Sequence, residues 1–142
     1  MPNPTIPKRK DRFLTHTAGD MIEGALVMPL LALVTLALVN LALAGYASVT
    51  ASHAAAYGAR LGSVAQVNPV GMAYSSALGM AEETGVGDYA VRAYGSAAPG
   101  GIVSVEVWWR VPNLFGRLMP LFGQDNEPLE GIAVATFRKE GW

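Results

Sequence analysis

The dominant pattern along the chain is an apolar run over residues 20–44, with no charged side chain between Glu23 and Arg60. Its central stretch, residues 24–45, corresponds to roughly 33 Å of α-helix at about 1.5 Å per residue. The hydrocarbon layer of a bilayer is about 30 Å thick, so this stretch is long enough to cross it. The pattern therefore predicts a single membrane-spanning helix near the N-terminus.

A short basic leader, residues 1–19, precedes the apolar run. Basic flanks stay on the cytoplasmic side, which predicts a single-pass protein of the inner (cytoplasmic) membrane with its C-terminal part outside the cytoplasm. A cleaved secretory signal is the rival interpretation. Its apolar region would span about 7–15 residues and end at a small-x-small site, whereas this run is longer and continues into helix-forming sequence. A retained helix is therefore the interpretation that the pattern favours.

The helical pattern continues beyond the apolar run. Residues 46–66 contain no proline and are rich in alanine, and their larger side chains recur at steps of three and four residues, which places them on one helical face. We expect one helix over residues 20–66, membrane-spanning in its first half, between the leader and an extracytoplasmic domain over residues 67–142. The larger side chains of this stretch are Tyr46, Val49, His53, Tyr57, Arg60 and Val64.

Four residues of this helix bear on its packing. Pro29 removes one helical N–H and predicts a kink. Asn40 lies either at the outer membrane interface or in a hydrogen bond with a neighbouring helix. Gly58 and Gly62 permit close approach, either of the chain's own sheet or of another subunit.

The sequence after residue 66 predicts a small α+β domain. Asn68-Pro69 ends the long helix, and residues 71–83 read as a short second helix. Three strands follow over residues 88–94, 102–111 and 132–138, the second with a strict alternation that turns Val103, Val105 and Val107 toward the long helix. The first two form a hairpin, so we expect a three-stranded antiparallel sheet.

Two features of this domain are candidates for a partner surface. Trp108 faces away from the valine side of its strand, where it is either exposed or packed beneath the following loop. The connection over residues 112–130 is long and apolar, and it either folds over the sheet, docks on a partner protein or meets the outer membrane surface. Its apolar side chains share one helical stripe: Phe115, Leu118, Met119 and Phe122.

Composition narrows the classes of function. The chain has no cysteine and only two histidines, so it offers no thiol nucleophile and little for a metal site. We find no catalytic motif and expect neither an enzyme nor a cofactor. The net charge of −1 leaves no basic patch outside the leader, which argues against nucleic-acid binding.

Glu23 stands at the border of the apolar run and has two interpretations. Thr17-x-x-Asp20 fits a capping pattern, and carboxylates suit the positive end of a helix. Alternatively, a carboxylate at the membrane border needs a positive partner, because an unpaired one is costly in hydrocarbon. The physical argument leaves both open.

The basic leader, Ala18-Gly19, Glu23 and the run Ala-Leu-Val-Met-Pro-Leu-Leu together resemble the TadE-like minor pilins, or pseudopilins, of the Tad (Flp-type) pilus machinery. The alanine-rich Gly-Ala-Arg segment near Gly58 resembles the same family. The resemblance implies that a prepilin peptidase removes the leader and that the glutamate is the fifth mature residue. That rule implies a cut between Ala18 and Gly19, whereas a cut after Gly19 would make Glu23 the fourth. Gly24 departs from the family, which usually has Phe there.

Two functions follow as hypotheses. The first is a minor pilin or pseudopilin whose Glu23 pairs with the N-terminal amine of a neighbour. Its partners would be the prepilin peptidase, other pilins, the Tad membrane platform and the lipid bilayer, and its place either the membrane or the pilus. The second is an uncleaved, signal-anchored envelope protein that binds a partner through its sheet and apolar loop.

Overall fold

The computed structural model describes residues 11–117 and 126–139, without the side chains of residues 11–20 and Ile22. The described elements are two helices followed by three strands, which is the predicted α+β class. The chain divides into two compact units, Met1–Leu36 and Ala37–Trp142. In chain order the elements are α1 (Asp11–Val64), α2 (Pro69–Glu82), β1 (Asp88–Gly95), β2 (Ile102–Val111) and β3 (Leu129–Arg138).

Helix α1 begins earlier than the sequence pattern predicts, at Asp11 and not at residue 20. Sequence reasoning placed the start at the first apolar residues, but no proline interrupts the chain between Pro7 and Pro29, so the leader can continue the helix. Pro29 itself lies inside α1. The helix ends at Val64, two residues before the predicted end, where the Ala65 amide donates to the carbonyls of both Leu61 and Gly62.

Helix α2 starts two residues earlier than predicted because Asn68 and Pro69 build its first turn. Asn68 adopts the left-handed conformation with φ 49°, and its Oδ1 accepts a hydrogen bond from the Gly71 amide at 3.1 Å. Asparagine tolerates this conformation and is a preferred N-cap. Pro69 then occupies a first-turn position, where no N–H is needed.

The three strands form an antiparallel sheet in the order β1-β2-β3, as predicted. Strand β2 is central, with Val105 between Ala93 of β1 and Ala135 of β3. Strand β3 begins at Leu129, three residues before the predicted start, because Leu129 pairs with Val111 at the end of β2. One face of the sheet is turned inward, and its central valines, Val103, Val105 and Val107, are fully buried as expected.

The core of the second unit depends on close approach between small residues. A face of α1 made of alanine and glycine, here called the small face, is buried against α2 and β2. A Cβ added at Gly58 would lie 2.6 Å from both the Ala73 carbonyl oxygen and the Ala77 Cβ. A Cβ at Gly62 would lie 2.7 Å from the Ala73 Cβ and 3.0 Å from Val103 Cγ1. The small face comprises Ala47, Ala51, Ala54, Ala55, Gly58, Ala59 and Gly62.

Lys139 joins the end of the last strand to the end of α1. Its side chain is buried, and Nζ donates to the Ala65 carbonyl oxygen at 2.6 Å. A cation suits this position because the last carbonyls of a helix lack intrahelical partners and carry partial negative charge. Its backbone also pairs with the β1–β2 turn, through the Gly101 oxygen at 2.7 Å and the Gly100 amide at 3.1 Å.

The close approach at Gly58 gives a test of the packing. We expect Gly58→Ala to lower the free energy of unfolding by about 1–3 kcal/mol, because the added methyl group forces α1 and α2 apart. Thermal unfolding of the full chain in detergent micelles, followed by tryptophan fluorescence, should show a melting temperature lower by roughly 4 °C or more.

The matched control is Gly79→Ala on α2, where an added Cβ meets nothing within 4 Å. This variant should be neutral or more stable by up to about 1 kcal/mol, since alanine is the better helix former. Equal effects of the two substitutions would contradict the packing described here.

Candidate functional site

The candidate sites of this protein are surfaces along α1 and on the sheet. Within the described residues one segment, Glu23–Val64, is long and apolar enough to cross a membrane. Almost none of its most apolar part is buried in the chain's own fold, so it differs from the core helix of a globular protein. A membrane anchor is the role that this exposure favours.

Glu23 and Pro29 are exposed along the first part of α1. Apolar side chains surround them on the helix surface, among them Leu26, Met28 and Leu30, each more than 60% exposed. Ala18 and Gly19 also lie within α1, but their side chains are not among those described. The structure therefore leaves the Glu23 carboxylate accessible to a partner from outside the chain.

Asn40 is one of the few buried polar residues, with 5% of its surface exposed. Its Nδ2 donates to Asn113 Oδ1 at 2.6 Å, and its Oδ1 accepts from the Leu114 amide at 2.9 Å. Asn113 Oδ1 also accepts from the Gly116 amide at 2.7 Å. We call this network the Asn40 clamp, and it ties α1 to the start of the β2–β3 connection.

Neither of the two sequence interpretations of Asn40 anticipated this partner. An asparagine in an apolar helix was expected at the membrane interface or opposite another helix, and its partner is instead a turn more than 70 residues away. The signal that could have indicated it is the second asparagine, Asn113, directly after Pro112 where the central strand ends. Two side-chain amides can satisfy each other and a backbone N–H when both leave water.

Beyond Asn40, α1 has two faces of different character. The small face is buried, whereas the large side chains found from the sequence are all exposed. We call this exposed row the bulky stripe: Tyr46, Val49, His53, Tyr57, Arg60 and Val64. Gly58 and Gly62 belong to the opposite face and contact α2, with Val103 of β2 beside Gly62.

The outer face of the sheet is a second exposed surface. Trp108 is 37% exposed, and it stands beside Ile132 on β3, which is 51% exposed, and near Val134. An open cavity at this end of the sheet is lined by Trp108 and Ile132 and by an exposed ion pair, Arg110 Nη2 to Glu130 Oε2 at 3.0 Å. Exposed ion pairs of this kind contribute little to stability.

The other end of the outer face is polar. The Tyr94 hydroxyl donates to Glu106 Oε1 at 2.8 Å, and this hydrogen bond to the carboxylate raises the pKa of Tyr94 above its ordinary value. Arg92 lies over the Tyr94 ring at 5.9 Å from its centre. Ser104 and Thr136 share a hydrogen bond of 3.1 Å across the strands.

The apolar loop is described only in part. Phe115 is half-buried in a short helical turn after Leu114, whereas Leu118, Met119 and Phe122 lie outside the described residues. Across residues 21–117 and 126–139, no three His, Asp or Glu side chains come together in a way that could hold a metal ion.

The Asn40 clamp gives a test at single-residue resolution. We expect Asn40→Ala to destabilise the chain by about 1–3 kcal/mol, because the Leu114 N–H loses its acceptor and Asn113 Oδ1 loses one of its two donors. Hydrogen exchange of the Leu114 amide in detergent micelles should become faster than in the unmodified chain.

Ser52→Ala is the matched control on the same helix, because the exposed Ser52 hydroxyl bonds only to the Ser48 carbonyl within α1. It should change stability by less than about 0.5 kcal/mol and leave Leu114 exchange unaltered. Unchanged protection of Leu114 in Asn40→Ala would show that the clamp does not hold the turn.

Comparison with known proteins gives a match to a family model. No curated protein and no solved structure matches the chain. A family model described as TadE-like protein matches residues 21–60, which include Glu23, Pro29, Asn40 and Gly58 but not Ala18, Gly19 or Gly62. The match confirms, over residues 21–60, the TadE-like resemblance seen in the sequence.

Proposed function

We propose that the protein is a minor pilin or pseudopilin, a membrane-anchored structural component of Tad-type pilus assembly and secretion. The observation that carries the proposal is the division of α1 into a buried small face and an exposed bulky stripe, on a helix whose residues 21–60 match the TadE-like family. The role is structural and involves no catalytic group of its own.

The bulky stripe supports helix-to-helix packing because lipid alone cannot cover it. Tyr46 to Val64 extends over roughly 27 Å of helix at about 1.5 Å per residue. If residues 24–45 cross the hydrocarbon layer, the stripe continues well beyond it, where exposed aromatic and aliphatic side chains favour a protein partner. Neighbouring pilin helices would cover this row while the small face keeps its own domain in place.

Glu23 supplies the second element of the proposal. Removal of the leader would create a new N-terminal ammonium group, and Glu23 of one subunit would pair with that group on a neighbour. A buried charge without its partner is costly, so the pair would fix the axial position of each added subunit. The exposed Glu23 side chain is compatible with such a contact from outside the chain.

The proposed location follows from the charge pattern. The basic leader would remain in the cytoplasm until a prepilin peptidase removes it, with the domain outside the inner membrane. The partners would then be the peptidase, other pilins and the Tad membrane platform, first in the membrane and later in the pilus.

The outer face of the sheet favours one alternative. Trp108, Ile132 and Val134 form an exposed apolar row that a filament core does not require. An uncleaved, signal-anchored envelope protein could use this row to bind a partner. In that case the leader would be retained and Glu23 would be replaceable.

Processing distinguishes the two functions. Intact-mass analysis of the protein from native membranes should show loss of the first 18 or 19 residues, and the mass will also identify the bond that is cut. Protein made in cells without a prepilin peptidase should keep its full mass. A retained leader in peptidase-containing cells would contradict the pilin role and favour the envelope protein.

Substitution of Glu23 tests the charge pair. We expect Glu23→Ala to abolish or strongly reduce incorporation into pili while the protein still fractionates with the membrane, because only the pairing in the assembly is lost. Glu83→Ala, at an exposed carboxylate at the end of α2, should assemble like the unmodified chain. Normal assembly of Glu23→Ala would remove the pairing from the mechanism.

A further inference from the structure

We propose that one end of the domain is seated in the bilayer, at the boundary between headgroups and acyl chains in the leaflet on the domain's side. This end, called the clamp end, consists of Asn40 and the residues from Pro112 to Arg117. The proposal rests on the membrane anchoring of α1 and is independent of pilus assembly.

The contacts of α1 fix which end of the sheet carries the clamp. Gly62 lies against Val103 near the start of β2, whereas Asn40 is bonded to Asn113 just after its end. Strand β2 therefore runs antiparallel to α1 from residue 62 to residue 40. The β1–β2 turn and Lys139 lie at the opposite end, beside Ala65.

The length of the apolar segment brings the clamp end to the membrane. Asn40 lies within the apolar stretch 24–45, five residues before its end. If that stretch crosses the hydrocarbon layer, which is about 30 Å thick, Asn40 lies inside the layer and close to the domain's side. The turn bonded to Asn40 must then share that depth.

The hydrogen bonding of the clamp suits this environment. Non-helical backbone is tolerated at membrane depth only where its polar groups have partners within the protein. The amides of Leu114 and Gly116 donate to Asn40 Oδ1 and Asn113 Oδ1, and Pro112 has no N–H to satisfy. On α1 beside Asn40, Leu38 and Leu41 are each more than 60% exposed and offer apolar surface to the acyl chains.

Charged and aromatic residues near the clamp end limit how deeply that end can enter the bilayer. Arg117 and Glu127 are exposed near this end and need headgroups or water, which long side chains can reach by extending outward. Tyr46 stands less than two turns beyond Asn40, in the position of an interfacial aromatic residue. The Arg110–Glu130 pair lies about 10 Å farther along the strand from Asn113, at about 3.3 Å per residue, and stays clear of the acyl chains.

The chain has no cysteine, so single probes can be placed cleanly. The full chain with Pro112→Cys carries an environment-sensitive fluorophore at the exposed Pro112 position, and Arg117→Cys provides a second label in the same turn. The matched control is Ala97→Cys, exposed in the β1–β2 turn at the opposite end. Each is reconstituted in phosphatidylcholine–phosphatidylglycerol vesicles, and flotation measures membrane anchoring separately.

We expect the clamp-end labels to be quenched several-fold more strongly than the Ala97 label by lipids with a spin label high on the acyl chain. Soluble iodide should show the reverse order. If the protein floats with the vesicles but the clamp-end and Ala97 labels are quenched equally, the clamp end is not seated in the bilayer, although the chain is still anchored. Shielding of the clamp end from both quenchers would also overturn the seating, since protein would then cover that end, and failure to float would overturn seating and anchor together.

Discussion

The close approach of α1 to α2 and β2 is the constraint on which the rest of the second unit depends. Alanine and glycine let the helices meet at backbone distance, and a single methyl group at Gly58 or Gly62 would enter occupied space. Because the small face is used internally, the large side chains of the same helix must point outward. Burial of the small face thus forms the core and leaves the bulky stripe exposed for assembly.

The Asn40 clamp extends this packing to the place where the helix becomes purely apolar. On the N-terminal side of Asn40 the surface of α1 consists of exposed leucine, valine and methionine side chains. On the C-terminal side the helix belongs to the domain. A polar contact here holds the β2–β3 connection against the helix, with Asn40 Nδ2 and the Leu114 N–H both hydrogen-bonded. The similarity to TadE-like proteins spans this boundary, since residues 21–60 include both the anchor and most of the small face.

Much of the fold follows from local pattern. The alternation in β2, the helix-breaking Asn68-Pro69 and the apolar run predict the α+β class and the antiparallel sheet. The choice of buried face on α1 does not follow, because both faces are compatible with burial and only the tertiary partner selects one. Asn40–Asn113 and Lys139–Ala65 escape prediction for the same reason, since nothing local relates residues so far apart in the chain. For Glu23, Ala18 and Gly19, the sequence still carries the functional argument.

The two ends of the domain are closed by contacts of very long range, with separations of 73 and 74 residues for the Asn40 clamp and 74 for Lys139. Contacts of this kind form late in folding and make folding slower, because a long loop must be ordered before they stabilise the fold. Lys139 directly follows β3, so the end of α1 stays uncapped until all three strands have been synthesised. The apolar helix is therefore synthesised well before the two ends of its domain can close.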